Sequence, residues 1–345
     1  MGRGRVIVVG ASNTDLVVHC PKLPRAGESV MGGDLLTFAG GKGANQAVAA
    51  ARAGARAVFI GAFGDDAFGQ ARRADLEREG VDCSGCVVKK KVPSGVALIG
   101  IGDCGGGKAE NLIVVAPGAN LRLTAEDVTA GMPQDLNSSD VVLCSLEVPM
   151  PAVMEAFRCA LDAESRATTI LNPAPFPKSG VPDKLILDAA VVTPNETEFK
   201  ALVKARVGGD MARKRLISLM AQENFDVRIS QQCVVTCGAK GALWYAISDA
   251  DGAALSSPSR EFKRGLRRYA ISDVLIPAPR VPPVDTVGAG DCFNGCLAAH
   301  LTFEPSDFRK AIHFGVAAAA IKVTRHGAQA GMPYRREILR MLQKN

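Results

Sequence analysis

The chain has 345 residues, enough for one large α/β domain or two smaller ones. Its 47% hydrophobic and 22% charged residues are ordinary for a globular chain with a sizeable core. A formal charge of +6 is mild for this length and only 5% of residues are aromatic, which argues against nucleic acid as a partner and admits anionic small substrates such as nucleotides. No apolar run approaches the ~18 residues of a membrane span, so no membrane partner is expected. Met1-Gly-Arg-Gly-Arg5 leads straight into an apolar run with no signal-peptide core or cleavage site. The 10 cysteines therefore read as reduced thiols of a cytoplasmic protein, with organellar import left open. Cys83-Ser-Gly-Cys86 is a lone CxxC without a second pair, and Cys292 and Cys296 read as core packing on a helix.

Val6–Val9 is a short β-branched run ending at Gly10, like the first buried strand of an α/β sheet. Residues 16–38 alternate and carry turn signals, and residues 94–115 contain two more strand-like runs around a loose loop at Asp103–Ala109. Together they suggest a small β-sheet flap standing off the main sheet. Gly43–Ala53 is Ala-rich and helical in pattern, with Gly54 as its C-terminal stop and a strand at Ala57–Ile60. From residue 140 strands and helices alternate. Strands are predicted at Val141–Cys144, Thr168–Leu171, Ala189–Thr193, Cys233–Thr236 and Ala242–Ala246. Helices are predicted at Pro151–Leu161, from Glu196 to about Lys204, and near 291–301 and 306–323. This order predicts an α/β fold, a mostly parallel central sheet with helices on both faces. Residues 249–273, with the basic run Ser259–Arg268, do not fit the pattern and read as an insertion, either a solvated surface segment or a lobe near a nucleotide or a partner surface.

The most informative stretch is Asp285-Thr-Val-Gly-Ala-Gly-Asp-Cys-Phe-Asn-Gly295. Gly288 and Gly290 allow a tight turn and close approach of backbone to a ligand. The unpaired N–H groups of the helix that follows make a site for an oxyanion or phosphate. Asp291 in the same turn can take a proton from an attacking hydroxyl. An anion hole beside a base is what phosphoryl transfer to an alcohol requires. A second glycine-rich loop, Gly40-Gly-Lys-Gly-Ala-Asn45, enters a helix without the spacing of a Walker A loop. It lets a polar ligand rest on backbone within reach of Lys42 and Asn45, or is simply a tight strand-to-helix turn. Asn13-Thr-Asp15 follows the first strand, where open α/β sheets bind ligands, and Glu147 follows another. Their carboxylates and amide suit the hydroxyls of a polyol, although a capped turn explains each alone. Asn195, Glu196 and Glu198 suit the first turn of a helix, and Thr236-Cys-Gly-Ala-Lys-Gly241 is a glycine turn between strands.

In order and number, these motifs resemble those of the ribokinase-type (PfkB family) carbohydrate kinases from about Val6 to Pro333. The pair Gly40–Gln46 and Asp285–Gly295 is the specific part. The resemblance implies a Rossmann-like, ribokinase-like fold in one kinase domain spanning 1–345, with residues 16–38 and 94–115 as a lid over the sugar that often pairs two subunits. It implies Asp291 as the base and the N–H groups of Gly288, Ala289, Gly290 and Asp291 as the anion hole. Asn13, Thr14, Asp15, Gly41, Lys42, Gly43, Ala44, Asn45 and Glu147 would hold the sugar. Asn195, Thr236, Cys237, Gly238, Ala239, Lys240 and Gly241 would line the ATP site together with Gly290 and Asp291, and Val316 would lie at the adenine. Glu198 would help order Mg²⁺ through water. A monovalent cation, K⁺, would be held by the Asp285 carboxylate and the carbonyls of Val287, Lys322, Arg325 and Gly327. Gly331 stands where a serine oxygen commonly completes that set. The motifs Asn-x-Asp, Gly-Gly-Lys-Gly-Ala-Asn-Gln and Leu-Glu-Val-Pro resemble kinases of D-ribose more than those of fructose or adenosine. The activity implied is ATP-dependent phosphorylation of the D-ribose 5-hydroxyl. The alternatives are another sugar or nucleoside (2-deoxyribose, fructose or adenosine) or a catalytically silent sugar or nucleotide binder.

Overall fold

The computed structural model describes residues 4–103, 109–162, 166–207, 232–249 and 269–344. Residues 250–268, most of the expected insertion and all of its basic run, lie outside the described residues.

Strand β1 (Arg5–Val9) is fully buried from Val6 to Val9, as a continuous β-branched run covered on both faces should be. It is followed by β2 (Asn13–Lys22), β3 (Leu35–Gly40), α1 (Lys42–Arg52), β4 (Arg56–Ile60), β5 (Ala62–Gly64), α2 (Ala67–Arg78), β6 (Val87–Lys89), β7 (Gly95–Asp103) and β8 (Ala109–Ala116). Next come α3 (Ala125–Gly131), β9 (Val141–Ser145), α4 (Met150–Leu161), β10 (Thr168–Asn172), α5 (Asp183–Asp188), β11 (Val191–Val192), α6 (Glu196–Val207) and β12 (Gln232–Thr236). The chain closes with β13 (Gly241–Asp249), β14 (Tyr269–Pro277), α7 (Ala289–Leu301), α8 (Phe308–Lys322) and α9 (Arg335–Lys344).

The eight-stranded main sheet runs β14-β13-β12-β11-β10-β9-β1-β4. It is parallel from β4 to β12, and β13 and β14 extend it as an antiparallel edge. Alternate residues of β1 feed opposite faces. Val6 and Val8 join Phe59 and the apolar sides of α1, α7 and α8, while Ile7 and Val9 join Val58, Ile60 and α4. The α/β fold expected from the alternation is thus present, with helices on both faces. From β1 the chain crosses to β4 on one side and later to β9 on the other. The strand order therefore reverses between β1 and β9, and a crevice opens beyond their carboxyl ends.

A second sheet, β3-β2-β7-β8, stands apart from the first. Strand β2 begins at Asn13, four positions after the end of β1, and leaves the core as it runs outward. Leu35, Leu98, Leu112, Ile113, Val114 and Val115 on this sheet are exposed.

Two elements differ from the sequence expectation. The strand at 189–193 contracts to Val191–Val192, which pairs with β10 and β12 only over that length. Residues 249 and 269–273, which in sequence do not fit the alternation, form β structure. They lie in the β13–β14 hairpin, paired in register from Gly241 opposite Pro277 to Asp249 opposite Tyr269. A partner strand decides β structure more than local composition does, and the basic run beside this one hid its pattern.

Helices α1 and α7 approach closely because Gly295 lacks a side chain. A Cβ there would collide with the Gln46 carbonyl and lie 2.7 Å from the Ala49 Cβ. Gly295→Ala should destabilise the protein by about 1–3 kcal/mol through overpacking. An unchanged urea midpoint would show that the two helices can part without penalty.

Candidate active site

The end of β1 delivers Ser12–Asp15 to the crevice. Asn13 and Thr14 are buried, and Asn120 holds Asn13 and the Ser12 backbone. Its amide nitrogen donates to Asn13 Oδ1 at 2.8 Å, and its oxygen accepts from the Ser12 N–H at 3.0 Å. Asp15 lies against Gly40, where any Cβ would strike its carboxylate. Burial pushes the Asp15 carboxyl up to about 6, opposed by Arg72 and reinforced by the charge of Asp291. Arg72 itself donates to Thr14 Oγ1 at 3.3 Å and to the Phe38 carbonyl at 3.2 Å.

Gly41 takes φ +88°, a left-handed turn that starts α1. The Lys42 N–H donates to Glu147 Oε2 at 2.8 Å, which joins the glycine loop to the end of β9. Gly43 packs on Gly10, so close that a Cβ would lie 2.7 Å from the Gly10 Cα. Ala44 donates its N–H to the Ala11 carbonyl at 3.0 Å. One turn into α1, Asn45 Nδ2 donates to Asp291 Oδ2 at 2.9 Å and Gln46 Nε2 donates to Oδ1 at 3.3 Å. Asn45 Oδ1 is buried without a hydrogen-bond partner.

Asp291 is 6% exposed in the first turn of α7. Gly288 caps that helix in the left-handed region at φ +74°. A Cβ at Gly290 would meet nothing within 4 Å, so the backbone there faces open space. Of the four N–H groups expected to form an anion hole, that of Ala289 donates to the Thr286 carbonyl at 3.2 Å. Burial raises the affinity of Asp291 for its proton, while Lys42, Asn45 and Gln46 oppose that rise. The Asp15, Glu147, Glu198 and Asp291 carboxyls are all raised by burial, and the Lys42 ammonium, raised chiefly by Asp291, sits among them.

A buried polar chain absent from the sequence expectation completes this corner. Gln46 donates to Asn172 Oδ1 at 3.1 Å and Asn172 to the Thr193 carbonyl at 3.0 Å. Thr193 in turn donates to Asn294 Oδ1, and Asn294 to the Gly290 carbonyl at 2.9 Å. Gln46 and Asn294 belong to the two glycine-rich segments, whereas Asn172 ends a strand and Thr193 is a single polar residue with no spacing signal.

Asn195 and Glu198 cap α6 reciprocally. Glu198 N–H donates to Asn195 Oδ1 at 2.8 Å and Asn195 N–H to Glu198 Oε2 at 2.9 Å. Asn195 also bridges to Thr236, whose N–H donates to the Pro194 carbonyl at 2.9 Å. The turn Gly238–Lys240 is exposed, the Cys237 N–H donates to the Gly241 carbonyl at 2.8 Å, and Gly241 takes φ +106°. Val316, in contrast, is only 5% exposed within the core and offers a base little surface. Among the described residues, no group of three or more His, Cys, Asp and Glu could hold a metal ion. Glu198 fits a role in ordering Mg²⁺, since its carboxylate shares the field of Lys42 and Asp291, but the ion would depend on water and phosphate oxygens for most of its shell.

The expected potassium site is a different matter. Asp285 Oδ1 accepts from the Val287 N–H at 2.9 Å and Oδ2 from the Gly327 N–H at 2.8 Å. The Lys322 carbonyl accepts from the Arg325 N–H at 3.0 Å, and the Gly327 carbonyl from the Gly331 N–H at 3.2 Å. The fully buried Lys322 side chain turns into this ring and donates from Nζ to the Asp285 carbonyl at 2.9 Å. These residues do not fit a monovalent metal ion, because an ammonium group already holds the charge. The sequence expectation used only the carbonyl of Lys322 and missed its side chain.

Three comparisons with known proteins bear on this site. The profile of the pfkB family carbohydrate kinases matches residues 3–335. The chain is 33% identical over 341 residues to a ribokinase of Haemophilus influenzae, covering 99% of each chain. It is 34% identical over 337 residues to a ribokinase of Bacillus subtilis, covering 98% of this chain and 99% of the relative. The crystal structure of a ribokinase from Thermotoga maritima superposes with a TM-score of 0.77 at 28% identity, covering 98% of this chain and 99% of that one.

The Asp15 carboxyl gives a pH test. Its proton is held more tightly in the folded chain, at about 6 against the usual 3.8, so folding favours the protonated form. Stability should therefore fall as pH rises from 3.8 towards about 6, and Asp15→Asn should flatten that slope. Arg72→Met should move the carboxyl higher still, as read by carbon-13 NMR. A midpoint unmoved by Arg72→Met would remove Arg72 from its surroundings.

Proposed function

The chain belongs to the pfkB family of carbohydrate kinases, and from that premise we propose that it transfers the γ-phosphoryl group of ATP to the 5-hydroxyl of D-ribose, giving D-ribose 5-phosphate and ADP. That it is a sugar kinase of the ribokinase type follows from its relatives. The observation that carries the reaction is the Asp291 carboxylate, buried in the first turn of α7 beside Gly288 and Gly290.

In this reading Asn13, Asp15, Asn45 and Glu147 hold the sugar hydroxyls, with Gly41 to Ala44 as the backbone floor. The partnerless Asn45 Oδ1 supports this, since a hydroxyl can donate to it. Asp291 accepts the proton of the 5-hydroxyl as its oxygen attacks the γ-phosphorus in line. The bond from that phosphorus to the bridging oxygen breaks, and the electron pair leaves with ADP. The raised proton affinity of Asp291 suits a base, and Asn45 and Gln46 aim its oxygens. Backbone N–H groups at 288–291 stabilise the charge on the transferring group, for which the Ala289 N–H must leave Thr286. The pair Asn195 and Thr236, with the turn to Gly241, lines the nucleotide. Mg²⁺ ordered through water by Glu198 would neutralise phosphate charge. The small sheet serves as the lid over the sugar, and its exposed apolar strip fits a second copy of the chain, making a homodimer. The nine described cysteines are free thiols, which supports a cytoplasmic setting.

Asp291→Asn should cut turnover by on the order of 10²–10⁴-fold with the fold intact by circular dichroism. Near-normal turnover would remove Asp291 as the base. In a panel of D-ribose, 2-deoxyribose, fructose and adenosine with ATP and Mg²⁺, ribose should give the highest kcat/KM. A site built to bind a hydroxyl rejects the analogue lacking it by up to about 10⁴-fold. Equal or better turnover of another sugar would replace ribose as the substrate.

A further inference from the structure

Lys322 ends α8, where a helix C-terminus favours a cation. Its side chain has no accessible surface. Nζ donates to the Asp285 carbonyl at 2.9 Å and lies 3.8 Å from Asp285 Oδ2. Behind it, the Val284 and Asp285 N–H groups both donate to the Val323 carbonyl, at 2.7 and 3.1 Å. The strap that leads into the 288–291 turn is therefore held to the end of α8 by backbone bonds and by one buried charge. The charge of Lys322 also reaches Asp291, where it opposes the rise caused by burial.

Gly331 explains how the lysine fits. A Cβ at position 331 would lie 3.2 Å from Lys322 Cε and 2.8 Å from the Gly327 carbonyl oxygen. Any side chain there competes with the lysine for the same space. The long cationic side chain at 322 and the absence of a side chain at 331 are complementary in shape. A primary ammonium and a potassium ion carry the same charge and are close in size. A second unit charge in contact with the first would be repelled strongly at the low effective dielectric constant of a buried site. The lysine therefore wins over an added ion.

We propose that the Lys322 ammonium is a tethered monovalent cation, and that this chain orders the Asp285–Asp291 turn without potassium. The proposal rests on the reading of that turn as the phosphoryl-transfer site. Its test separates the two. The thermal midpoint of the full chain is compared in potassium chloride and tetramethylammonium chloride of equal ionic strength, and ribose turnover is measured in both salts. The wild type should show the same midpoint in each, and turnover within about twofold, because an ion that does not bind cannot stabilise the folded state. The double variant Lys322→Ala, Gly331→Ser removes the ammonium and supplies a hydroxyl. It should lose on the order of 10²-fold in turnover in tetramethylammonium, as when one electrostatic stabiliser is removed. Potassium should restore at least about tenfold of that loss and raise the midpoint. A wild-type midpoint raised by potassium, or a wild type activated about tenfold, would overturn the proposal, and these readouts stand even if the double variant fails to fold. A double variant as active as the wild type without potassium would overturn it too. Should the wild type phosphorylate no sugar, the functional reading fails, and the two midpoints still judge the cation.

Discussion

The hydrogen bonds from Asn45 and Gln46 to the Asp291 carboxylate join the first turns of two helices that are far apart in sequence. They form only because the backbones come unusually near. Gly43 lies on Gly10 at one end of α1, and Gly295 of α7 rests against the Gln46 carbonyl. The chain of Asn172, Thr193 and Asn294 then ties the same corner to β10 and β11. A buried polar network of this kind stabilises a single arrangement only when its members are satisfied together.

The electrostatics of the corner follow from that packing. Carboxylates just beyond β9 and in the first turns of α6 and α7 share the charge of Lys42, and Asp15 at the start of β2 faces Arg72. Each is raised by burial. The crevice is thus a ring of hydrogen-bond acceptors with the Lys42 ammonium among them. Such a ring prefers ligands that bring their own donors and their own counter-charge, a polyol and a metal–nucleotide pair.

Much of this was legible in the sequence where the signal is local. The glycine loops at 40–45 and 285–295, the acids after strand ends and the Asn195–Glu198 cap need only neighbouring residues to be recognised. The main sheet was legible because its helices and strands alternate with distinct periods. What escaped depends on distance or direction. Thr193 and Asn294 meet across 101 positions. The β14 strand is decided by its partner β13. The Lys322 side chain turns inward, and no spacing rule distinguishes an inward lysine from an outward one at the end of a helix. Val316 reads as an available apolar contact in sequence but is spent on the core.

Strand β2 spans 10 residues, from the buried Asn13 to the exposed Lys22, without leaving β structure. At ~3.3 Å per residue it is a rod of about 33 Å. Its inner end carries Asn13 and Asp15 and is already paired there with β3 and β7, from Asn13 opposite Gly40 and Gly95. The residues that face the crevice are therefore themselves members of the small sheet, and the crevice and that sheet share one continuous stretch of backbone.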